Sequence, residues 1–100
     1  MARLRNIHPG EVLKEEFLVP MGISVYRIAK ETGLSQTRLS QIIRGERSIT
    51  AETAIMIGRF LNTGPEFWMN LQALYDIEEA GRRLGRKIET IHPYSPANAA

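Results

Sequence analysis

Two adjoining stretches with the same punctuation, "SVYRIAKETG" and "LSQTRLSQIIRG", constrain the fold more than anything else in the chain. Each has a serine at or next to its start, Ser24 or Ser35, whose hydroxyl can accept a backbone N–H of the first helical turn. Each closes on a glycine, Gly33 or Gly45. Only Gly33, Leu34 and Ser35 separate the two helices, so the chain must turn sharply there. Gly33, at the head of the turn, supplies the positive φ that a side chain would resist. At about 100° per residue, Leu39, Ile42 and Ile43 fall on one side of the second helix. Val25, Ile28, Ala29 and Thr32 share one side of the first, and Ala29 is small where the helices would cross closely. The pattern predicts a helix-turn-helix over about residues 24–45.

The rest of the chain reads as further helices. Pro9 suits the first position of a helix through "PGEVLKEEFLV", which Pro20 and Gly22 should end. Thr50 caps "AETAIMIGRFL", with Glu52 well placed against the helix dipole. Thr63 and Glu66 match a capping box around Pro65, opening a longer helix over about residues 64–84. The tail "RKIETIHPYSPANAA" reads as a short extended piece followed by disorder. The expected architecture is all-α: a compact five-helix domain over residues 1–85 and a flexible tail over 86–100. One domain is the expectation for 100 residues.

The outward face of the second helix carries the chemistry. Thr37, Gln41 and Arg44 lie opposite the apolar stripe, Gln36 and Ser40 flank them, and Arg38 sits at the edge. Gln can bond adenine through two hydrogen bonds, Arg can bond guanine, and the Thr methyl can touch thymine. In a helix-turn-helix the N-terminal half of the second helix enters the major groove. Gln36, Thr37, Arg38, Ser40 and Gln41 are therefore candidate base readers. Ser24, Arg44 and Arg47 are candidate phosphate contacts. A solvated helix face without a partner accounts for the same polar pattern. The net charge of +2 does not announce a nucleic-acid binder, so local placement must carry the case.

Other function classes find little support. With no cysteine, a disulfide scaffold and thiolate metal sites are excluded, and a reducing cytoplasm fits. No apolar run is long enough to span a membrane, so a cytoplasmic protein with no membrane partner is expected. His8 and His92 stand near opposite ends and lack converging ligands; His8 reads as a cap or packing residue of the first helix. Glu11, Glu15 and Glu16 read as a solvated face rather than an acid–base pair. "GRRLGRK" reads as the basic end of a helix. No phosphate-binding loop or nucleophile motif appears, so neither an enzyme nor a cofactor is expected.

The stretch "SVYRIAKETGLSQTRLSQIIRGERSITAETAIMIGRFLNTGPEFWMNLQALYD", with "HPGEVLKEEFL" before it, resembles the HigA-type (VapI-like) antitoxins of the phage-repressor-like (XRE/Cro) helix-turn-helix group. The more specific part is "ITAETAIMIGRFLNTGPEFWMNLQ", since the helix-turn-helix alone is shared by many repressors. The resemblance implies a lambda-repressor-like fold and a dimer that binds an operator and represses its own operon. It also implies a small partner toxin, a HigB/RelE-like enzyme that cleaves mRNA, neutralised by direct binding. The base-reading segment of the family falls on Gln36, Thr37, Arg38, Ser40 and Gln41. Thr32 departs from the pattern, where relatives often carry a bulkier apolar residue. A free-standing repressor without a toxin and a protein-interaction module that has lost DNA binding are the competing readings. The intact Gln/Thr/Arg face argues against the latter.

A symmetric dimer is expected from the last helix. Phe67, Trp68, Leu71, Leu74 and Tyr75 occupy the side that should dock it on the domain. Met69, Ala73, Ile77, Ala80 and Leu84 form a second apolar stripe, which suits pairing with another copy. The rival is a tail that folds back over this stripe through Ile88 and Ile91. On the helix before it, Met56 and Phe60 face away from Ala54, Ile57, Gly58 and Leu61. Two-fold pairing would imply an operator that is an inverted repeat, with half-sites roughly 10 bp apart or a multiple of that.

Overall fold

The computed structural model describes residues 5–96. Five helices in sequence form the domain, and no strand occurs among the described residues. Helix α1 spans 9–21, with an α-helical start (Pro9–Val12), a π-helical middle (Leu13–Leu18) and an α-helical end (Val19–Met21). Then follow α2 (Val25–Thr32), α3 (Gln36–Ile43), α4 (Ala51–Phe60) and α5 (Pro65–Leu84). A 3-10 segment, Gly85–Thr90, continues from α5.

The expected stop at Pro20 is not observed. Helix α1 passes through it and ends at Gly22, whose φ of 65° is left-handed. The wide middle turns explain this: the Val19 N–H donates to Lys14 O, five residues back. In an ordinary α-helix the proline ring would meet the carbonyl four residues back, and the wider register relieves that contact.

The helix-turn-helix forms as the punctuation predicts. Ser24 and Ser35 accept the amides of Arg27 and Arg38, each at 3.0 Å, and Gly33 adopts φ 83°. Thr32 has a definite role in place of the expected apolar residue. Its hydroxyl donates to Ile28 O at 2.6 Å and accepts from Leu34 N at 3.2 Å, fastening the helix end to the turn. Ile28, Ala29, Leu34, Leu39 and Ile42 are buried in one core with Leu13, Leu18, Ile49, Ala54, Ile57, Leu61 and Trp68. Burying each large aliphatic side chain contributes about 1.5–3 kcal/mol. Met56 and Phe60 are half-buried against this core, so that face of α4 is satisfied within the chain.

Three other expectations are corrected. Thr63 and Glu66 do not form a capping box: the N-cap of α5 is Gly64, with no side-chain cap bond. Thr63 Oγ1 instead accepts from the indole N–H of fully buried Trp68 at 2.8 Å and donates to Gly64 O. A buried indole needs an acceptor, and that demand takes the hydroxyl. Leu74, placed on the docking side, is 66% exposed, and the core position on that side belongs to Gln72. The start of the tail is a 3-10 helix rather than an extended piece. Of the tail expected to be disordered, residues 97–100 lie outside the described residues.

One close approach sets how α1 sits on α3. A Cβ built at Gly10 would lie 1.7 Å from the Ile42 carbonyl oxygen, so the two backbones touch. Gly10→Ala should therefore destabilise by about 3 kcal/mol or more, as overpacking against rigid backbone. Gly81, inside α5, has nothing within 4 Å of such a Cβ. Gly81→Ala should stabilise by up to about 1 kcal/mol. Urea melts of the two variants beside the parent protein provide the comparison. Equal effects would mean that the Gly10 contact is not close.

Candidate nucleic-acid interface

Helix α3 projects its polar face from a fixed base. Leu39 and Ile42 anchor it in the core, and the Ser35 cap sets where it begins. Gln36 and Thr37 are exposed, while Arg38, Ser40 and Gln41 are half-buried at its flanks. The helix ends at Ile43, with Arg44 as its C-cap, one residue short of expectation. Ser24 lies apart, at the start of α2, where its hydroxyl is engaged as the helix cap.

The cations of this surface are held by neighbours. Arg47 Nε donates to Gln41 Oε1 at 2.9 Å, so a candidate phosphate contact and a candidate base reader support each other. Arg44 reaches Glu46 through two hydrogen bonds, at 3.0 and 3.3 Å. This pairing raises the Arg44 pKa, first through the hydrogen bond and then through the charge. Arg38 lies 4.0 Å from Glu52 at the start of α4. Arg38, Arg47, Ser48, Thr50, Glu52 and Thr53 together line a polar depression between α3 and α4. Sequence spacing alone does not mark Glu46 and Glu52 as partners of these arginines. Their spacing from Arg44 and Arg38 becomes a contact only once the loop 44–50 has turned.

Chemically, this surface offers carboxamides and hydroxyls on an exposed helix, with guanidiniums at its end. Those groups can match base edges and phosphates respectively. Among the described residues, no group of three His, Asp or Glu side chains is placed to hold a metal ion, and no helix is long and apolar enough to cross a membrane.

The family model for the helix-turn-helix (HTH_3) matches residues 13–68. Antitoxin HigA-1 of Vibrio cholerae is 35% identical over 89 residues, covering 89% of this chain and 84% of that protein. The chain belongs to the helix-turn-helix family, among the HigA-type antitoxins. Virulence-associated protein I of Dichelobacter nodosus is 43% identical over 74 residues, covering 74% of this chain and 68% of that protein. The solved structure of Pseudomonas aeruginosa antitoxin HigA with the higBA promoter superposes with a TM-score of 0.86 at 40% identity, covering 91% of this chain and all (100%) of that one. HigA-type proteins are DNA-binding antitoxins, not enzymes.

Near the end of α3 in this HigA-type chain stands His8. Its Nδ1 accepts the Gly10 amide at 2.9 Å and caps α1, as its place before Pro9 suggests. Its ring meets Tyr75 of α5 edge-on at 4.8 Å, and Gly45, just past α3, lies against it. Burial holds the His8 pKa below its usual 6.5, with the Asp76 charge opposing. The neutral imidazole is thus the folded form, since a protonated Nδ1 cannot accept. The unfolded chain takes up the proton at higher pH, so the contribution of His8 is complete above about 6.5. It falls as pH drops through that value, and the loss ends only below the folded pKa. Urea melts between pH 7.5 and 5 should show this decline. His8→Asn, which keeps a capping acceptor, should flatten it; an unchanged slope would remove His8 as the cause.

Proposed function

We propose that this chain is an autorepressing antitoxin. It binds an inverted-repeat operator in double-stranded DNA as a homodimer and neutralises a small mRNA-cleaving toxin by direct binding, acting in the cytoplasm. The observation that carries the DNA reading is the polar outer face of α3, rigidly seated by Leu39 and Ile42. A relative of the same fold that was solved with promoter DNA supports it. Gln36, Thr37, Arg38, Ser40 and Gln41 are the base-reading set, and Ser24, Arg44 and Arg47 hold phosphates. The toxin is supported by kinship with HigA antitoxins. Co-expression with the product of an adjacent gene, scored for rescue of growth, tests it. Failure to rescue would leave a free-standing repressor.

Pairing through α5 is supported by what the chain leaves uncovered. Ile77 is 69% exposed and Met69, Ala73 and Leu84 are exposed as well, with Ala80 half-buried. Leu74 enlarges the stripe. The rival cover is absent, since Ile88 is exposed and Ile91 is 73% exposed beyond the end of α5. Two-fold pairing would set two reading helices about 34 Å apart, one DNA turn.

Gel shifts with the protein's own promoter test the assignments. Gln41→Ala should cost about 1–3 kcal/mol at the cognate site and relax preference there. Arg44→Ala should weaken all sequences alike and flatten the salt dependence by about one charge. Equal losses on specific and random DNA in both variants would refute the division of roles. Met69→Glu with Ile77→Glu should yield a monomer that keeps its helical content and binds the operator weakly. Light scattering that finds the parent protein monomeric at tens of micromolar would end the dimer proposal.

A further inference from the structure

The loop between α3 and α4 (44–50) is held at its tail by α5 and at its head by His8, which packs on α5. At its head, a Cβ on Gly45 would lie 3.7 Å from the His8 ring, which packs on Tyr75 of α5. At its tail, Ile49 is buried and its N–H donates to Gln72 Oε1 at 2.8 Å, across 23 residues of sequence. Gln72 is 4% exposed. Its Nε2 donates to Asp76 Oδ1 at 2.9 Å, which leaves the carbonyl end facing Ile49. Between these anchors stand Glu46, Arg47 and Ser48, all exposed. Arg47 reaches back to Gln41, and Thr50 then caps α4.

A carboxamide here asks for a reason. One turn after Trp68, a leucine would fill a core position with no polar group to satisfy. Burying an amide is unfavourable unless it is bonded, and Gln72 has a partner at each end. One of those partners is the backbone of the loop that carries Arg47. We propose that Gln72 is the positioning residue of the DNA-facing loop. Through the Ile49 amide it sets where Arg47 stands beside Gln41 and where Thr50 begins α4. The helix that carries the pairing stripe thereby also places a DNA contact. This inference rests on the DNA-binding reading given above and assigns that reading a residue that does not itself touch DNA.

Gln72→Leu keeps the size and removes the acceptor. Operator binding is measured over a range of salt, well below the melting temperature of the variant. The expected result is roughly tenfold weaker binding with a salt dependence shallower by about one charge. Arg47→Ala should add little to that loss in the Gln72→Leu background, although it weakens the parent protein. Gln72→Glu combined with Asp76→Asn keeps net charge and an acceptor for Ile49, with the 72–76 bond reversed. That pair should restore affinity and salt slope. If Gln72→Leu does not fold, Gln72→Met carries the same test, since its flexible thioether fills the space without a strong acceptor. A variant that melts earlier yet binds the operator with unchanged affinity and salt slope would show that Gln72 serves stability alone, overturning the proposal. A parent protein that fails to bind its promoter would overturn the DNA reading and this inference together.

Discussion

The backbone contact between Gly10 and the Ile42 carbonyl governs how the rest of the domain is arranged. It brings α1 directly onto the last turn of α3, where no side chain could be interposed. With α1 on one side and α2 joined by a tight turn on the other, α3 has no freedom to roll. Its outward face is then whatever its buried face leaves over: Gln36 and Thr37 are exposed because Leu39 and Ile42 point in. The cap on α1 belongs to the same junction. His8 bonds the Gly10 amide, and its ring also lies under Gly45, where the chain leaves α3.

Helix α5 works on two sides. Its inner side supplies Trp68, whose indole draws Thr63 into the corner between α4 and α5. It also supplies Gln72, which holds the loop after α3. A second close approach shapes that corner, since a Cβ on Gly58 would lie 2.5 Å from Gly64 O. The outer side keeps Leu74 and Ile77 in solvent, and the 3-10 segment that follows does not return over them. The polar face of α3 and the exposed apolar stripe of α5 therefore sit on one unit, as the proposed dimer on a duplex requires.

In the proposed complex, the charges around α3 bear on how a chain of net charge +2 would meet DNA. Arg38 and Arg44 each have a carboxylate neighbour in the free protein, and Arg47 has a carboxamide. Exposed ion pairs contribute about 0–1 kcal/mol. In the proposed complex, phosphates can replace Glu46 and Glu52 at small cost. The same carboxylates would oppose loose association with any polyanion, leaving more of the discrimination to the polar face of α3.

Local signals determined a large share of this protein. Serine and threonine caps at 24, 35 and 50 and glycines at 33 and 45 placed three helices and a turn. Apolar spacing on α3 also showed which residues would face out. These are short-range matters, decided by hydrogen bonds within a helical turn and by one glycine's access to positive φ. Tertiary structure decided what depends on a neighbour distant in sequence. Pro20 stayed within α1 because a widened turn made room for it, and the hydroxyl of Thr63 went to a buried indole rather than to a cap. Gln72 is buried, with its carbonyl oxygen on the Ile49 amide, while Leu74 stays outside. Spacing along one helix cannot reveal such a pairing, since the donor belongs to a loop that reaches α5 only when the domain has closed.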